Sequence, residues 1–276
     1  MKYKIVVDSS SNLKSDYIKD EKVGFAVVPL TIRIDEKDFV DNDEGDSDEM
    51  LAALSRSKKG GSSSCPAPGA YSEAYKDADN IIVVTISSKL SGSFNSAFVG
   101  SLEFGNKAIH VVDSKGTGGL MQLIVDKAYE LIKSGMDFKK IEIEIDKYTE
   151  SIHLLFILDK FDNLVRAGRV SKIAAFVATS LSIKPICIAK EGEIKILKKT
   201  RTMKMALKNV VAEMVELVHD DTENRVCIIT TVQRDPTALK LKSIIEENMH
   251  FKEIKIVDSR ILGSYYQLPG GLIISF

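Results

Sequence analysis

Hydroxyl side chains are concentrated in three segments of this 276-residue chain, residues 9–11, 62–64 and 87–96. The third segment directly follows the apolar run 81–84, where a buried strand is expected to end and a helix to begin. Hydroxyl groups and helix N-terminal N–H groups at such a point can hold an anionic or polar head group. The pattern therefore predicts a binding site at the exits of buried strands.

Ser91 in the third segment admits three interpretations, and the sequence leaves them open. It can cap the following helix, because serine is a favoured N-cap residue. It can bind an anion, since Gly92 between Ser91 and Ser93 lets a ligand approach the backbone closely. It can also be the nucleophile of a hydrolase or transferase, which requires a general base within reach. None of the four histidines lies in a hydroxyl-rich segment.

A second hydroxyl, that of Ser63, lies in the Gly/Ser/Pro-rich segment 58–68, which we expect to be a flexible polar loop at the head of a helix. Two hydroxyls that converge from neighbouring loops can neutralise one carboxylate without a buried positive charge. A carboxylate without a cation is weakly held. Most of the affinity must then come from burial of an apolar tail.

Composition and motifs exclude several other classes of protein. The net charge of -1 gives no field that would attract nucleic acid or anionic lipid. The three cysteines form no CxxC pair and the histidines lack metal-ligand spacing, so neither a disulfide framework nor a metal site is expected. No nucleotide motif is present, and no apolar run is long enough to insert stably into a membrane. We expect a cytoplasmic protein without a cofactor.

Strands alternate with helices over the first half of the chain. Strands are predicted at 3–7, 25–34 with a bend at Pro29, 81–86 and 108–112, and helices at 13–18, 48–56, about 66–76, from about 94, and 120–132. This alternation indicates a largely parallel sheet covered by helices. The polar loops then gather at the carboxyl ends of its strands, where such sheets bind ligands.

The order of predicted strands and helices changes near residue 148. Strands are predicted at 154–158, 183–189, 193–197, 225–231, 254–257 and 272–276, and helices at 200–219 and 236–248. The pair around Glu191-Gly192 reads as an antiparallel hairpin. We therefore expect two α/β domains. Residues 1–147 carry the parallel sheet and the hydroxyl-rich loops, and residues 148–276 carry a mixed or antiparallel sheet that closes the pocket.

The order of short motifs along the whole chain resembles that of the bacterial DegV family. The matching segments are 8–13, 28–30, 86–97, 112–114, 164–171 and 184–186. The segment around Ser91 is the most specific of them. The resemblance implies a two-domain α/β protein that buries one long-chain fatty acid between its domains. It also implies a lipid-binding subunit without catalytic residues of its own, which presents the acyl carboxylate to a separate ATP-binding fatty-acid kinase subunit.

The resemblance also assigns roles to individual residues. Ser63 replaces a carboxylate-binding threonine of the family, and Ser91 matches its second carboxylate-binding hydroxyl. Tyr266 stands where the family has a histidine, and a phenol can donate a hydrogen bond but stays neutral near pH 7. Arg169 matches an arginine that faces the head-group entrance and the kinase partner.

The resemblance also implies four residues that support Ser63, Ser91 and Tyr266 in the head-group site. They are Ser64, Gly92, Ser93 and Tyr265. The alternative function is a serine-dependent hydrolase or transferase that uses Ser91.

Overall fold

The computed structural model of the protein describes residues 2–170, 183–219 and 222–276. Its strands are β1 (Tyr3–Asp8), β2 (Val23–Val28), β3 (Thr31–Ile34), β4 (Lys37–Val40), β5 (Gly61–Ser64), β6 (Asn80–Thr85), β7 (Ala108–Asp113), β8 (Leu154–Ile157), β9 (Lys184–Lys190), β10 (Glu193–Thr200), β11 (Val226–Thr231), β12 (Glu253–Asp258) and β13 (Leu272–Ser275). Its helices are α1 (Ser47–Arg56), α2 (Pro68–Ala74), α3 (Ser93–Ser101), α4 (Gly119–Lys133), α5 (Phe138–Ser151), α6 (Asp162–Arg166), α7 (Met203–Val218), α8 (Thr237–Asn248) and α9 (Ile261–Gln267). Ser171, the last residue of one family-like motif, lies outside the described residues.

The first half of the chain forms the predicted parallel sheet. Its four strands lie in the order β2-β1-β6-β7, and every neighbouring pair is parallel. Strands β1 and β6 are buried along nearly their whole length, which explains why both read as continuous apolar runs. The prediction of a helix-covered parallel sheet is confirmed.

The second half forms a six-stranded mixed sheet in the order β10-β9-β8-β13-β11-β12. Strands β9 and β10 make the predicted antiparallel hairpin. Its turn residues Glu191 and Gly192 both have positive φ, 52° and 79°, as a tight hairpin turn of matching twist requires. The predicted mixed α/β architecture of this half is also confirmed.

A third, small sheet in the order β4-β3-β5 was expected only in part. The hairpin arm through Phe39 and Val40 is present as β4. The segment expected to be a flexible loop instead forms strand β5, in which Ser63 lies opposite Ile32. The Gly-Ser-Ser-Ser sequence of β5 has no strand propensity of its own. Pairing with the edge of β3 fixes its conformation.

The predicted helix at residues 13–18 is wrong. The chain instead makes a 3-10 turn at Ser9–Ser11 that ends at Asn12 with φ 62°. Beyond it, the backbone makes long-range polar contacts, because the Arg260 side chain donates to Leu13 O and Asp43 accepts from Ser15 N–H. These contacts take the place of helical hydrogen bonds.

Helices α5 and α9 have no counterpart among the sequence predictions. In α5, Ile141, Ile143 and Ile145 alternate with charged residues, a spacing that is typical of a strand. Helix α9 spans only two turns and contains Gly263, a poor helix former. Both helices are stabilised by tertiary contacts that local sequence does not display.

Helix α4 lies between the two large sheets. It packs against β1 and β6 on one side and against β11 and β13 on the other. Most of its side chains are buried, so the helix lacks the broad polar face that a surface helix turns to solvent. At its first residue, Gly119, a Cβ atom would lie 2.7 Å from Ile228 Cγ2 and 3.3 Å from Ser275 Oγ. The helix therefore touches the mixed sheet at a point where only glycine fits.

We expect Gly119→Ala to lower the free energy of unfolding by about 1–3 kcal/mol, because the added methyl group overpacks the contact between α4 and β11. Denaturant unfolding followed by circular dichroism measures the change. Gly69→Ala is the matched control, since a Cβ atom there meets nothing within 4 Å. That substitution should leave stability unchanged or raise it by about 0.5–1 kcal/mol. Equal stability of the Gly119 variant and the wild type would contradict the close contact.

Candidate functional site

A cavity of about 320 Å³ lies where the carboxyl-end loops of the parallel sheet face the mixed sheet. Its volume falls within the range of small-molecule sites, about 300–1,000 Å³. Most of its wall is aliphatic or aromatic, with Leu30, Ile86, Phe156, Leu164 and Ile273 among the lining residues. Ser63 and Ser91, the two residues predicted to bind a carboxylate, both line the cavity. An apolar interior with hydroxyl groups on its wall suits an amphipathic ligand.

Ser63 and Tyr266 meet at this wall. Ser63 is held on β5 by pairing with Ile32, and Tyr266 projects from the last turn of α9. Their hydroxyl oxygens are 2.7 Å apart, and both groups line the cavity. The structure thus brings together two predicted site residues that are distant in sequence. In this pair one hydroxyl donates to the other, which leaves the second proton free for a ligand.

The Ser91 turn lies between β6 and α3. Ser91 Oγ lies 3.0 Å from Ser93 Oγ and accepts a hydrogen bond of 3.2 Å from the Ser93 N–H. Ser93 is fully buried, whereas Ser91 is half-buried on the cavity wall. Because Ser93 supplies one or two hydrogen bonds to Ser91 Oγ, the Ser91 proton can point towards a ligand.

The N-terminus of α3 is not capped by a serine. Gly92 occupies the N-cap position, and no side chain caps the helix. Ser91 precedes the N-cap residue and accepts only the N–H of Ser93, so the N-cap interpretation of Ser91 is not supported. The next N–H groups in the first turn of α3 remain available. A Cβ atom on Gly92 would lie 3.0 Å from Cys65 Sγ. This contact places the strand that carries Ser63 directly beside the Ser91 turn.

Tyr265 and Ser64 support this arrangement in different ways. Tyr265 is fully buried and donates a hydrogen bond of 2.6 Å to Gly61 O, which fastens α9 to β5. Its burial raises the pKa of the phenol to about 12. The Tyr265 and Tyr266 rings contact each other edge to face at 4.8 Å. Ser64 is exposed and lines the cavity beside Ser63.

Arg169 is exposed at the opening of the cavity, which it helps to line. Its Nε donates to Leu90 O at 2.7 Å, and its Nη1 donates to Ala167 O at 2.7 Å. The guanidinium group therefore bridges the Ser91 turn and the loop that follows α6. Its positive charge lies outside the apolar interior. The part of the wall formed by Ser63, Ser91 and Tyr266 carries neutral hydroxyl groups.

Asp8 is a buried residue behind the site that sequence reasoning missed. Its carboxylate accepts hydrogen bonds from the Ile86 N–H at 2.8 Å and from the Ser10 N–H at 3.1 Å, and also from the Ser10 hydroxyl. Burial raises the pKa of this carboxyl to about 6, although these hydrogen bonds oppose the shift. The sequence signal that could have indicated Asp8 is its position at the end of a predicted buried strand. Asp8 fixes the start of the Ser91 turn.

Tyr71 on α2 is a second buried neighbour of the turn. Its side chain is fully buried, and among the described residues its Oη has no hydrogen-bond partner. Burial raises the pKa of the phenol well above its usual value, the Asp8 charge raises it further, and the nearby Ser93 hydroxyl lowers it. The phenol therefore stays protonated and can donate towards Ser93.

Other chemistry finds little support here. Within residues 2–170, 183–219 and 222–276, no group of three or more His, Cys, Asp or Glu side chains could hold a metal ion. The described lining of the cavity includes no histidine that could serve as a base for Ser91. In the same part of the chain, no helix combines the length and apolar character of a membrane span.

The fold and site define an α/β protein with a cavity that is apolar inside and rich in hydroxyls at one wall. The family model described as "Uncharacterised protein, DegV family" matches residues 2–270. The chain belongs to the DegV family. A DegV domain-containing protein of Streptococcus pyogenes serotype M1 is 39% identical over 219 residues, which are 78% of this chain and 78% of that protein.

Two solved structures match the whole fold. One is a DegV family protein from Ruminococcus gnavus with vaccenic acid, which is 32% identical, has a TM-score of 0.93, and covers 100% of this chain and 99% of its own. The other is the Streptococcus pneumoniae Fatty Acid Kinase (Fak) B3 protein loaded with linoleic acid, with the same identity, TM-score and coverage. Both relatives therefore hold fatty acids on this fold.

We expect stability to fall as pH rises through the titration of Asp8. The folded state raises this pKa from 3.8 to about 6, so the contribution is full below about pH 4 and lost by about pH 6. The loss amounts to roughly 2–3 kcal/mol. Denaturant unfolding between pH 4 and pH 7 should show a smaller decline for Asp8→Asn than for the wild type. The exposed Asp79→Asn serves as control and should follow the wild type. Parallel curves for all three proteins would contradict the assignment.

Proposed function

We propose that this protein binds one long-chain fatty acid in the cavity, with the carboxylate at Ser63 and Ser91 and the tail in the apolar interior. The observation that carries the proposal is an apolar cavity whose wall bears the hydroxyls of Ser63, on β5, and of Ser91, in the turn after β6. Tyr266 adds a donor through its contact with Ser63. The fatty acids bound by the relatives from R. gnavus and S. pneumoniae support the ligand class.

The tail supplies most of the binding energy in this proposal. Burial of a 16-carbon chain at about 0.8 kcal/mol per CH₂ gives ~10 kcal/mol before ordering costs. A hydrogen bond to a charged group contributes about 1.5–3 kcal/mol. The serines therefore set the position of the carboxylate more than the total affinity.

We further propose that the protein presents this carboxylate to a separate ATP-binding kinase subunit in the cytoplasm. A carboxylate oxygen attacks the γ-phosphorus of ATP there, which forms an acyl phosphate and releases ADP. Arg169 suits a contact with the partner or with the phosphates, because it is exposed and lies beside the Ser91 turn. The Fak B3 relative supports this role.

In this proposal the chain divides near residue 148 and the cavity draws on both parts. Ser63 and Ser91 come from the first part, and Tyr266 from the second. The protein itself carries out no catalysis. A serine hydrolase that uses Ser91 would need a base, and no histidine among the described lining residues supplies one.

We expect Ser91→Ala to disturb the head group more than lipid retention. Native mass spectrometry of the delipidated protein with palmitic acid should show one bound molecule in both wild type and variant, with affinity reduced by about tenfold or less. Carbon-13 NMR of carboxyl-labelled palmitic acid should show a higher pKa for the bound carboxyl in the variant, because a hydrogen bond to the charged form is lost.

Ser101→Ala is the matched control for this experiment, since Ser101 ends the helix that follows the Ser91 turn and, in the described part of the chain, its hydroxyl bonds only to Phe98 O. It should behave as the wild type in both measurements. If neither the wild type nor the variants retain palmitic acid, the proposed function is wrong. If the carboxyl titrates identically in all three proteins, the assignment of Ser91 is wrong.

A further inference from the structure

Ser87 is a fully buried residue of the Ser91 turn to which the proposed function gives no role. It is the second residue beyond β6 and is absent from the described lining of the cavity, so a ligand there does not touch its hydroxyl. Its neighbours Leu90 and Ser91 do line the cavity. Any influence of Ser87 on a bound head group must therefore act through these two residues.

The backbone of Ser87 holds the chain at Ser91. The Ser87 carbonyl accepts the N–H groups of Leu90 at 2.9 Å and of Ser91 at 3.1 Å. The Ser87 N–H donates to Gly116 O at 2.9 Å. Because one carbonyl accepts two successive N–H groups, the turn has little freedom. The position of Ser91 therefore follows that of Ser87.

The Ser87 side chain joins this carbonyl to the mixed sheet. Its Oγ accepts the Lys89 N–H at 3.2 Å and donates to Gly192 O at 2.8 Å. Gly192 lies in the turn between β9 and β10 and also lines the cavity. Breaking either bond would leave an unpaired polar group in a buried place, which costs about 1–3 kcal/mol. The hydroxyl is therefore held firmly in this orientation.

The hairpin turn also packs directly against the Ser87 side chain. A Cβ atom on Gly192 would lie 2.6 Å from Ser87 Oγ and 3.2 Å from Lys89 Cγ. No other atom fits between the two segments at this point. A shift of the hairpin must then move Ser87, together with the carbonyl that holds Ser91.

We infer that Ser87 is a positioning residue for the head-group site, which ties the position of Ser91 to the hairpin turn at Gly192. This inference rests on the proposed function, since it requires a carboxylate at Ser91. The hairpin contributes no hydroxyl group to the site, yet it determines where the Ser91 hydroxyl meets the ligand. A carboxylate that is poorly aligned with this hydroxyl loses a hydrogen bond to its charged form, which raises its pKa.

The test perturbs the contact from both sides and measures the head group of bound palmitic acid. Ser87→Ala removes both hydrogen bonds of the hydroxyl, and Gly192→Ala adds a methyl group that collides with Ser87 Oγ. In carbon-13 NMR of carboxyl-labelled palmitic acid, each should raise the pKa of the bound carboxyl by about 0.5–1 unit. Native mass spectrometry should show that both variants retain palmitic acid with an affinity within about tenfold of the wild type.

The double variant tests whether the two residues act through one contact. Its shift in carboxyl pKa should be no larger than the larger of the two single shifts. The reason is that Ser87→Ala removes the atom that the methyl group added at Gly192 would meet. Gly192→Ala leaves Ser87 itself unchanged, so it decides the question by itself if Ser87→Ala does not fold.

Each single variant has a matched control. Ser88→Ala removes the neighbouring hydroxyl, which is exposed and donates to Asp113 within the first half of the chain. Gly135→Ala introduces similar backbone strain, since φ is 76° at Gly135 and 79° at Gly192, but a Cβ atom there meets nothing within 4 Å. Both controls should titrate as the wild type. No variant alters an ionisable group, so the charges around the turn stay the same. These are Asp8, Lys89, Asp113, Lys115, Arg169 and Glu191.

Four results would overturn the inference. The first is an unchanged carboxyl pKa in Ser87→Ala and Gly192→Ala while palmitic acid is bound. The second is an equal shift in either control, which would indicate a general loosening of the fold. The third is a double variant whose shift is the sum of the single shifts, because the two residues would then act independently. The fourth is that the wild type retains no palmitic acid, which would overturn the proposed function as well.

Discussion

The hydrogen bonds accepted by the buried carboxylate of Asp8 are the contact on which the site depends. This group ends β1 and accepts the N–H of Ile86, which is the first residue beyond β6. It also accepts the N–H of Ser10 in the turn after its own strand. Two neighbouring strand exits are thereby joined through one side chain. Without an acceptor, these buried N–H groups would carry the desolvation cost of unpaired donors.

The position of the Ser91 turn follows from this junction. The chain leaves β6 at the Asp8 contact and turns at Ser87, whose hydroxyl donates to Gly192 O in the hairpin of the mixed sheet at 2.8 Å. It then reaches Ser91 and enters α3. A carboxylate of the parallel sheet and a carbonyl of the mixed sheet thus hold two consecutive residues, Ile86 and Ser87, at the start of the Ser91 turn. The raised pKa of Asp8 is the energetic consequence of burying the first of these groups.

The sequence predicted those parts of the fold whose signal is local. The continuous apolar run of β6 and the helical spacing within α4 follow directly from periodicity. Strand β5 could not be predicted in this way, because its conformation comes from pairing with β3 about 30 residues earlier. Helix α5 could not be predicted for a different reason. Its alternating isoleucines have the spacing of a strand, and only its packing against α4 and β7 selects the helix.

The same distinction applies to the site. Ser63 and Ser91 could be proposed from composition and motif, because each lies in a dense hydroxyl cluster. Their relation to Tyr266 could not be derived from local pattern, since the contact spans 203 residues. Asn12 also lines the cavity and gave even less signal, because the orientation of its amide depends on a residue far away in the sequence. That orientation is decided by the N–H of Arg260, at the far end of the chain.

A tight contact between α4 and the mixed sheet also determines the shape of the cavity. Gly118 has φ 58°, and a Cβ atom on Gly119 would collide with Ile228, so the chain enters α4 with no side chain at either position. The missing side chain at Gly118, which lines the cavity, leaves Asn12 Nδ2 uncovered there, whereas Thr230 Oγ1 stays buried. Close packing of α4 on the mixed sheet and the open space beside Asn12 therefore both depend on the Gly118-Gly119 pair. A larger residue at Gly118 would be strained by its backbone conformation and would also cover Asn12 Nδ2 on the cavity wall.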